Sequence, residues 1–582
     1  MNRFKCNARK ALLRVALGVC AISVAGLSAA AAPNGASETV AKRPNVLLIL
    51  ADDLGYSDLG AFGSEIPTPN LDQLANQGML LTNHYVTPTC SPTRAALMSG
   101  TDNHLAGLGT MAELLPRSPK LQGKPGYEGY LNERVYWLPE ILRDAGYHTY
   151  MAGKWHIGKE PGQWPVARGF EQSFALMNGG GSHFAPVPGK PIFADRGQYV
   201  ENDQRTQLPA DFYSSNSYTD KLIQYIKQDH GDGKPFFAWA AYTAPHWPLQ
   251  APDEDIAKFK GKYAAGYEAI RTARLERMRK LALIAKDAEP NAGLPTSKDY
   301  PSWDMLSAEE QADESRRMEV YAAMVHNMDR NVGRLIQTLK DMGEYDNTLI
   351  IFMSDNGAEP TDSFFPANEN TDNSLENIGR RLSNVGYGAR WAEVSASPFR
   401  LFKGWTAEGG ISSPAFVRLP GQHAASPRID VATNVTDIAP TILDFAGIRL
   451  PEGNQYNGRT VHPMSGVSLV SLFKGEAGSE QLANRVLAGE LFGGRYVRSG
   501  KWKLVSVMTP FADNQWELYD LDGDRGESHN VAAEHPEVVK HMVQLWDEYA
   551  QQNGVVFAPN KRMPDTRRGA PSEIKLPGAA AH

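Results

Sequence analysis

Apolar runs of strand length recur along the chain, each closed by turn-forming residues: Val46–Ala51, Thr149–Ala152, Phe236–Tyr242, Leu349–Met353 and Ala415–Leu419. Because they are continuous and do not alternate, they read as strands buried on both faces of a sheet. Between them the apolar positions take a helical period. Over Met318–Met342, residues Val320, Tyr321, Met324, Val325, Met328, Val332, Leu335, Ile336 and Leu339 form one stripe. Strand and helix alternate, which predicts an α/β fold with a large, mixed but mostly parallel central sheet flanked by helices.

The texture changes near Arg485. Short β-like pieces, Tyr496–Arg498, Trp502–Val507 and Trp516–Asp520, precede an amphipathic stretch, Glu537–Gln551. They predict a smaller C-terminal α+β module, residues 485–558, carrying an antiparallel sheet on a main domain of residues 42–484. Residues 559–582 are rich in Pro, Arg and Gly without an apolar period and read as a loosely ordered tail. At 582 residues the length alone would suggest about four domains; the pattern supports fewer.

The first stretch stands apart. Arg3, Lys5, Arg9, Lys10 and Arg14 precede an apolar run from Val15 that ends in Ser28–Ala32 and Pro33. Residues 1–32 are expected to be a secretory signal, cleaved near Ala32, since the run is short for a membrane span and is broken by Gly18, Ser23 and Gly26. The predicted location is exported, periplasmic or secreted, with no stable membrane association afterwards. Cleavage removes five positive charges and takes the formal charge from −7 to −12, which argues against nucleic acid as a partner. Cys6 and Cys20 leave with the leader, so Cys90 is the last of the 3 cysteines. An exported protein without a possible internal disulfide is unusual, and a lone thiol in an oxidising compartment is a liability unless it has a use or is no longer a thiol.

Two carboxylate-bearing pairs close apolar runs: Asp52-Asp53 follows Val46–Leu50, and Asp355-Asn356 follows Leu349–Met353. Ligands bind beyond the carboxyl ends of parallel strands, and such oxygen donors suit Ca²⁺ or Mg²⁺. Either pair alone could simply cap a turn; the repetition favours a metal site. Cys90 stands just before Pro92, a residue favoured in a first helical turn, so a helix is expected over Thr93–Met98, ending at Gly100. That puts Cys90 at a helix N-terminus, which welcomes an anion, with Arg94 one turn on.

Cys90-Ser91-Pro92-Thr93-Arg94 matches the C-x-P-x-R signature of the type I sulfatases, in the alkaline phosphatase superfamily. Gly107–Glu113 (GLGTMAE), Lys124–Val135 (KPGYEGYLNERV), Ala244–Pro252 (APHWPLQAP) and Asn373–Arg380 (NSLENIGR) also resemble bacterial arylsulfatases, and the likeness spans roughly Lys42 to Val555. The resemblance implies an alkaline phosphatase-like fold and hydrolysis of aryl sulfate monoesters. It also implies a maturation enzyme that converts Cys90 to formylglycine, also called 3-oxoalanine. Calcium ligands would fall on Asp52, Asp53, Asp355 and Asn356, with an oxygen of modified Cys90 or of the sulfate completing the shell. Sulfate-binding and proton-transfer positions would fall on Arg94, Lys154, His156, His246 and Lys403. The implied mechanism hydrates the aldehyde to a geminal diol, whose one hydroxyl, activated by Asp355, attacks sulfur. His246 or Lys403 then protonates the leaving group, and His156 helps the second hydroxyl expel sulfate. The leaving group would be a small phenol, and the protein a monomer. The rival readings are a phosphodiesterase or phosphonate monoester hydrolase of the same superfamily, and a non-catalytic binder of sulfated ligands.

Overall fold

The computed structural model describes residues 42–363, 366–424, 427–476, 482–558 and 566–568. The expected leader, residues 1–32, and all of the expected tail except 566–568 lie outside the described residues. From Arg43 onward the contacts form one compact unit. Among the described residues no helix is long and apolar enough to cross a membrane.

Among the described residues ten strands make the main sheet: β1 (Asn45–Asp52), β2 (Met79–Tyr85), β3 (His148–Lys154), β4 (Gln172–Leu176), β5 (Tyr199–Glu201), β6 (Gln204–Thr206), β7 (Phe236–Pro245), β8 (Thr348–Ser354), β9 (Ser412–Arg418) and β10 (Thr433–Asn434). Their order is β10-β2-β9-β8-β1-β7-β3-β4-β5-β6. Strands β8, β1, β7, β3 and β4 are mutually parallel neighbours. All five apolar runs lie in this sheet, and β1, which sits between β7 and β8, is buried at every position.

Burial on both faces explains the unbroken apolar runs. Leu47 and Ile49 pack with Met318, Met324, Val325 and Met328 of the helix Ala308–Asp341, while Val46, Leu48 and Leu50 pack on the opposite side with Leu97, Leu138, Ile438 and Ile442. The long helix begins ten residues before the stripe read from sequence. A capping box starts it: Ser307 accepts from the Glu310 amide at 3.2 Å and Glu310 accepts from the Ser307 amide at 2.7 Å.

Direction decides which loops share an edge. The carboxyl ends of β8, β1, β7 and β3 lie side by side. Strand β9 runs antiparallel to both β8 and β2. The segment entering β9 and the segment leaving β2 therefore reach that same edge, which brings in Lys403 and Cys90.

A hairpin, β11 (Gln455–Tyr456) and β12 (Arg459–Thr460), precedes the C-terminal sheet of β13 (Val486–Leu491), β14 (Gly494–Ser499), β15 (Trp502–Ser506) and β16 (Trp516–Asp520), paired antiparallel in sequence order. Met542 and Trp546 of the helix Pro536–Gln552 cover Val497, Leu504 and Leu518. The sheet is tied to the main body by buried charge: Lys503 bridges Glu408 at 2.8 Å and Glu527 at 2.6 Å, with all three side chains fully buried.

Candidate active site

Strand ends supply most of the site. Asp52 closes β1, and Asp53 follows with φ 65°, a left-handed conformation that aspartate tolerates better than most residues. Asp355 and Asn356 follow β8, Lys154 closes β3, and His246 follows β7. Lys154 reaches the site because Gly153 lets β3 approach β7: a Cβ there would lie 1.8 Å from the Ala241 carbonyl oxygen. Lys403 is set between two loops, its amide bonded to Ala358 O at 3.0 Å and the next amide, Gly404, to Pro88 O at 2.8 Å. His156 and Leu401, like Asp53, are non-glycine residues at positive φ, so strained backbone gathers around the site.

The helix predicted over Thr93–Met98 starts earlier, at Cys90, and runs to Ser99, with Gly100 left-handed and bonded back to Ala96 O. Thr89 occupies the N-cap, but its hydroxyl makes no capping bond; Thr89 Oγ1 and Ser91 Oγ are buried without a partner. The first turn therefore offers amide donors that no side chain has claimed, as an anion site requires.

The side chains form a dense, almost wholly buried charge cluster. Lys154 Nζ donates to both oxygens of Asp52 at 2.9 and 2.7 Å. Arg94 Nε donates to Asp355 Oδ2 at 2.8 Å, and Nη1 donates to the Lys154 carbonyl at 2.7 Å. Lys403 Nζ donates to Asp53 at 2.8 Å and also pairs with Glu359 at 2.8 Å. Asn356 Nδ2 donates to Asp53 Oδ1 at 2.7 Å, and Cys90 Sγ lies 3.7 Å from that same oxygen. His246 Nε2 stands 3.4 Å from Asp53 Oδ2, with Nδ1 2.6 Å from the Trp247 carbonyl. A carbonyl only accepts, so Nδ1 carries the hydrogen and Nε2 faces the cluster.

Burial would raise the Asp53 carboxyl, but Lys403, then His246 and Lys154, hold it below the usual carboxylate range. Asp355 moves the other way, up to about 6, through burial and the charge of Asp52. Burial, then Asp355, pushes the Cys90 thiol well up, so the side chain as encoded is a neutral thiol.

One ligand atom from each of Asp52, Asp53, Cys90 and His246 lies within 4.8 Å of the others. His246 thus joins a set that sequence had filled with Asp355 and Asn356. Asn356 adds an independent sign: its Oδ1 is buried without a partner beside these carboxylates. An orphaned amide oxygen among carboxylates is a donor set suited to a hard divalent cation.

Nine of the ten sequence-predicted residues meet in this cluster. His156 is hydrogen-bonded to none of the other nine; its Nε2 lies 3.3 and 3.4 Å from the two carboxylate oxygens of Glu113, and its Nδ1 is buried without a partner. Burial draws its pKa down to about 4 in spite of Glu113. Sequence reasoning missed Glu113, Glu359, the Gly179-Gly180 pair whose backbone lies against the rings of His156 and His246, and His183, whose Nε2 is 2.9 Å from the His246 carbonyl. Two of these left a trace: Glu113 ends a segment that carried the family likeness, and Glu359 stands four residues beyond Asp355.

The family described as Sulfatase matches residues 44–448, and the C-terminal family of N-sulphoglucosamine sulphohydrolase matches residues 399–553. An uncharacterized sulfatase of Schizosaccharomyces pombe is 45% identical over 540 residues, covering 89% of this chain and 95% of its own. An arylsulfatase of Klebsiella aerogenes is 42% identical over 448 residues, covering 75% and 94%. Among solved structures, Ps i-CgsB bound to k-i-k-neocarrahexaose superposes with a TM-score of 0.62 at 25% identity, covering 88% of this chain and 93% of the other. The fold is that of the alkaline phosphatase superfamily, with the cluster at the carboxyl edge of its sheet. The chain belongs to the sulfatase family and is a sulfuric ester hydrolase.

Proposed function

We propose that the protein is an exported, monomeric arylsulfatase that hydrolyses small aryl sulfates through a formylglycine made from Cys90 by a maturation enzyme, together with a calcium ion. The observation that carries this reading is the placement of Cys90 at an uncapped helix N-terminus, beside Asp53 and within a cluster holding Arg94, Lys154 and Lys403. The arylsulfatase name of the Klebsiella aerogenes relative supports the leaving-group class.

A sulfate ester carries negative charge on the group to be attacked, so positive charge must be in place first. Asp52, Asp53 and Asn356 Oδ1, with Asp355 beside them, would hold the calcium ion, which supplies Lewis acidity and neutralises charge on the bound sulfate. Residue 90, once converted to formylglycine, would supply the nucleophilic oxygen. Arg94, Lys154 and Lys403 each pair with a carboxylate of the cluster and together would supply positive charge to a sulfate bound beside it. Lys403 is kept protonated, raised by Asp53 and Glu359 against the effect of burial, and can give a proton to the departing phenol.

The test is the mass of the peptide containing residue 90, from protein co-produced with a formylglycine-generating enzyme, together with kcat/KM for sulfate monoesters and phosphate diesters. Conversion of Cys90, a clear preference for sulfate monoesters and loss of turnover in Cys90→Ala are expected. Full activity with an intact cysteine would refute the mechanism, and a preference for phosphate diesters would refute the substrate class.

A further inference from the structure

We propose that Glu113 is a positioning residue: it holds the hydrogen of His156 on Nε2, leaving Nδ1 as the bare acceptor that takes a proton from a hydroxyl in the site. What Nδ1 does rests on the sulfatase reading; how the ring is held does not.

An ionised carboxylate can only accept a hydrogen bond. Both Glu113 oxygens lie within 3.4 Å of His156 Nε2, so a neutral imidazole places its single hydrogen there. Nδ1 then carries a lone pair. That atom is buried with no partner, an unfavourable state for a polar group, which points to a ligand that completes it. Two features hold the ring, the left-handed backbone at His156 and Glu113, and the missing side chain at Gly179 leaves room for it, since a Cβ there would lie 2.6 Å from Cε1 and Nε2. Only Glu113 tells the two nitrogens apart.

The second histidine is set the other way. His246 gives its Nδ1 hydrogen to the Trp247 carbonyl and presents Nε2. The two rings thus enter the chemistry with opposite tautomers, each set by an acceptor behind it. When His156 Nδ1 takes the proton, the imidazolium faces an anionic carboxylate, the arrangement by which a buried acid orients and supports a catalytic histidine. Glu113 is reachable for mutation without opening the core: its side chain is 37% exposed and also pairs with Lys159 at 3.1 Å.

Glu113→Ala and Lys159→Ala in the full chain separate positioning from general rim charge. Two-bond ¹H–¹⁵N correlation spectra of ¹⁵N-histidine protein, with His156 assigned by its loss in His156→Asn, report which nitrogen carries hydrogen, whether or not residue 90 is converted. The parent and Lys159→Ala are expected to show hydrogen on Nε2 and a bare Nδ1. In Glu113→Ala that preference is lost, and in converted enzyme kcat falls about 10–100-fold with KM little changed. A parent spectrum with hydrogen on Nδ1, or an unchanged tautomer in Glu113→Ala, overturns the proposal. Failure of the sulfatase reading would look different: a converted parent inert towards aryl sulfates, with the tautomer spectra still as expected.

Discussion

Replacing Gly179 by alanine tests the site through a single methyl group. A Cβ at Gly179 would lie 2.6 Å from both Cε1 and Nε2 of His156 and 3.3 Å from Nδ1. Such contacts settle near 3.5–4.0 Å, so the ring must retreat by most of an ångström, and it has little freedom to do so while Nε2 is tethered to Glu113. A displacement of about 1 Å at a reacting group costs on the order of 10²-fold in rate, or about 2.7 kcal/mol of transition-state stabilisation. The backbone at Gly179 is not in the left-handed region, so the fold itself should accept alanine. Steady-state hydrolysis of an aryl sulfate, with residue 90 conversion checked by peptide mass and Tm measured in parallel, should show a fall in kcat of about 10² with Tm nearly unchanged. Gly181→Ala is the control, since its Cβ meets nothing nearer than 3.5 Å, and it should behave as the parent. Parent-like turnover by Gly179→Ala would refute the argument that the ring's place matters. An equal loss in Gly181→Ala would show that the loop, and not the ring contact, is responsible.

Other consequences reach beyond this contact. His104 is buried between Asp102 at 2.9 Å and Glu490 at 3.2 Å; hydrogen bonds to both overcome burial and raise it to about 9. Its folded pKa exceeds the unfolded value near 6.5, so its contribution, on the order of 3 kcal/mol, is complete below about pH 6.5 and is lost as pH rises through about 9. Tm should therefore fall more steeply across that window in the parent than in His104→Asn, and parallel curves would exclude the imidazolium. Lys503→Met leaves Glu408 and Glu527 buried without their cation and should lower unfolding free energy by about 3–5 kcal/mol in urea, partly restored by adding Glu408→Gln. A loss below about 1 kcal/mol would mean that water or Arg525 replaces it. Lys403→Ala should reduce kcat by about 10²–10³-fold in protein whose residue 90 is still converted, whereas an undiminished kcat would remove Lys403 as proton donor.

What sequence revealed and what it hid follow from how each element is stabilised. The runs forming β1, β7 and β8 were legible because both faces are buried, and the carboxylates at their ends stood out against the apolar stretch. Strand β2 was not legible, for Thr82, Asn83 and His84 interrupt its apolar character; they are buried only because Asp430 and Thr433, some 350 residues away, bond to them. Nor could the apolar run of β9 announce its direction, although that direction brings Lys403 to the edge where the parallel strands end. Glu113 and Glu359 were hidden for a different reason. A lone glutamate is by default a solvated charge, and neither the likeness of the segment ending at Glu113 nor the nearness of Glu359 to Asp355 says that it faces His156 or Lys403.

Asp52, Asp53 and Asp355 stand at the ends of two adjacent parallel strands, where three carboxylates in a dry site repel one another unless opposite charge is close. The fold answers with Lys154 on Asp52, Lys403 on Asp53 and Arg94 on Asp355. These same three cations are the groups that would bind a sulfate. The pairing that makes the acidic cluster tolerable would therefore also hold positive charge ready for a sulfate ester. Neither role requires the other to be given up: removing any one cation should weaken anion binding and at the same time leave its own carboxylate unpaired. The three cations come from three separate elements, Arg94 from the Cys90–Ser99 helix, Lys154 from β3 and Lys403 from the segment before β9, and each meets a different carboxylate.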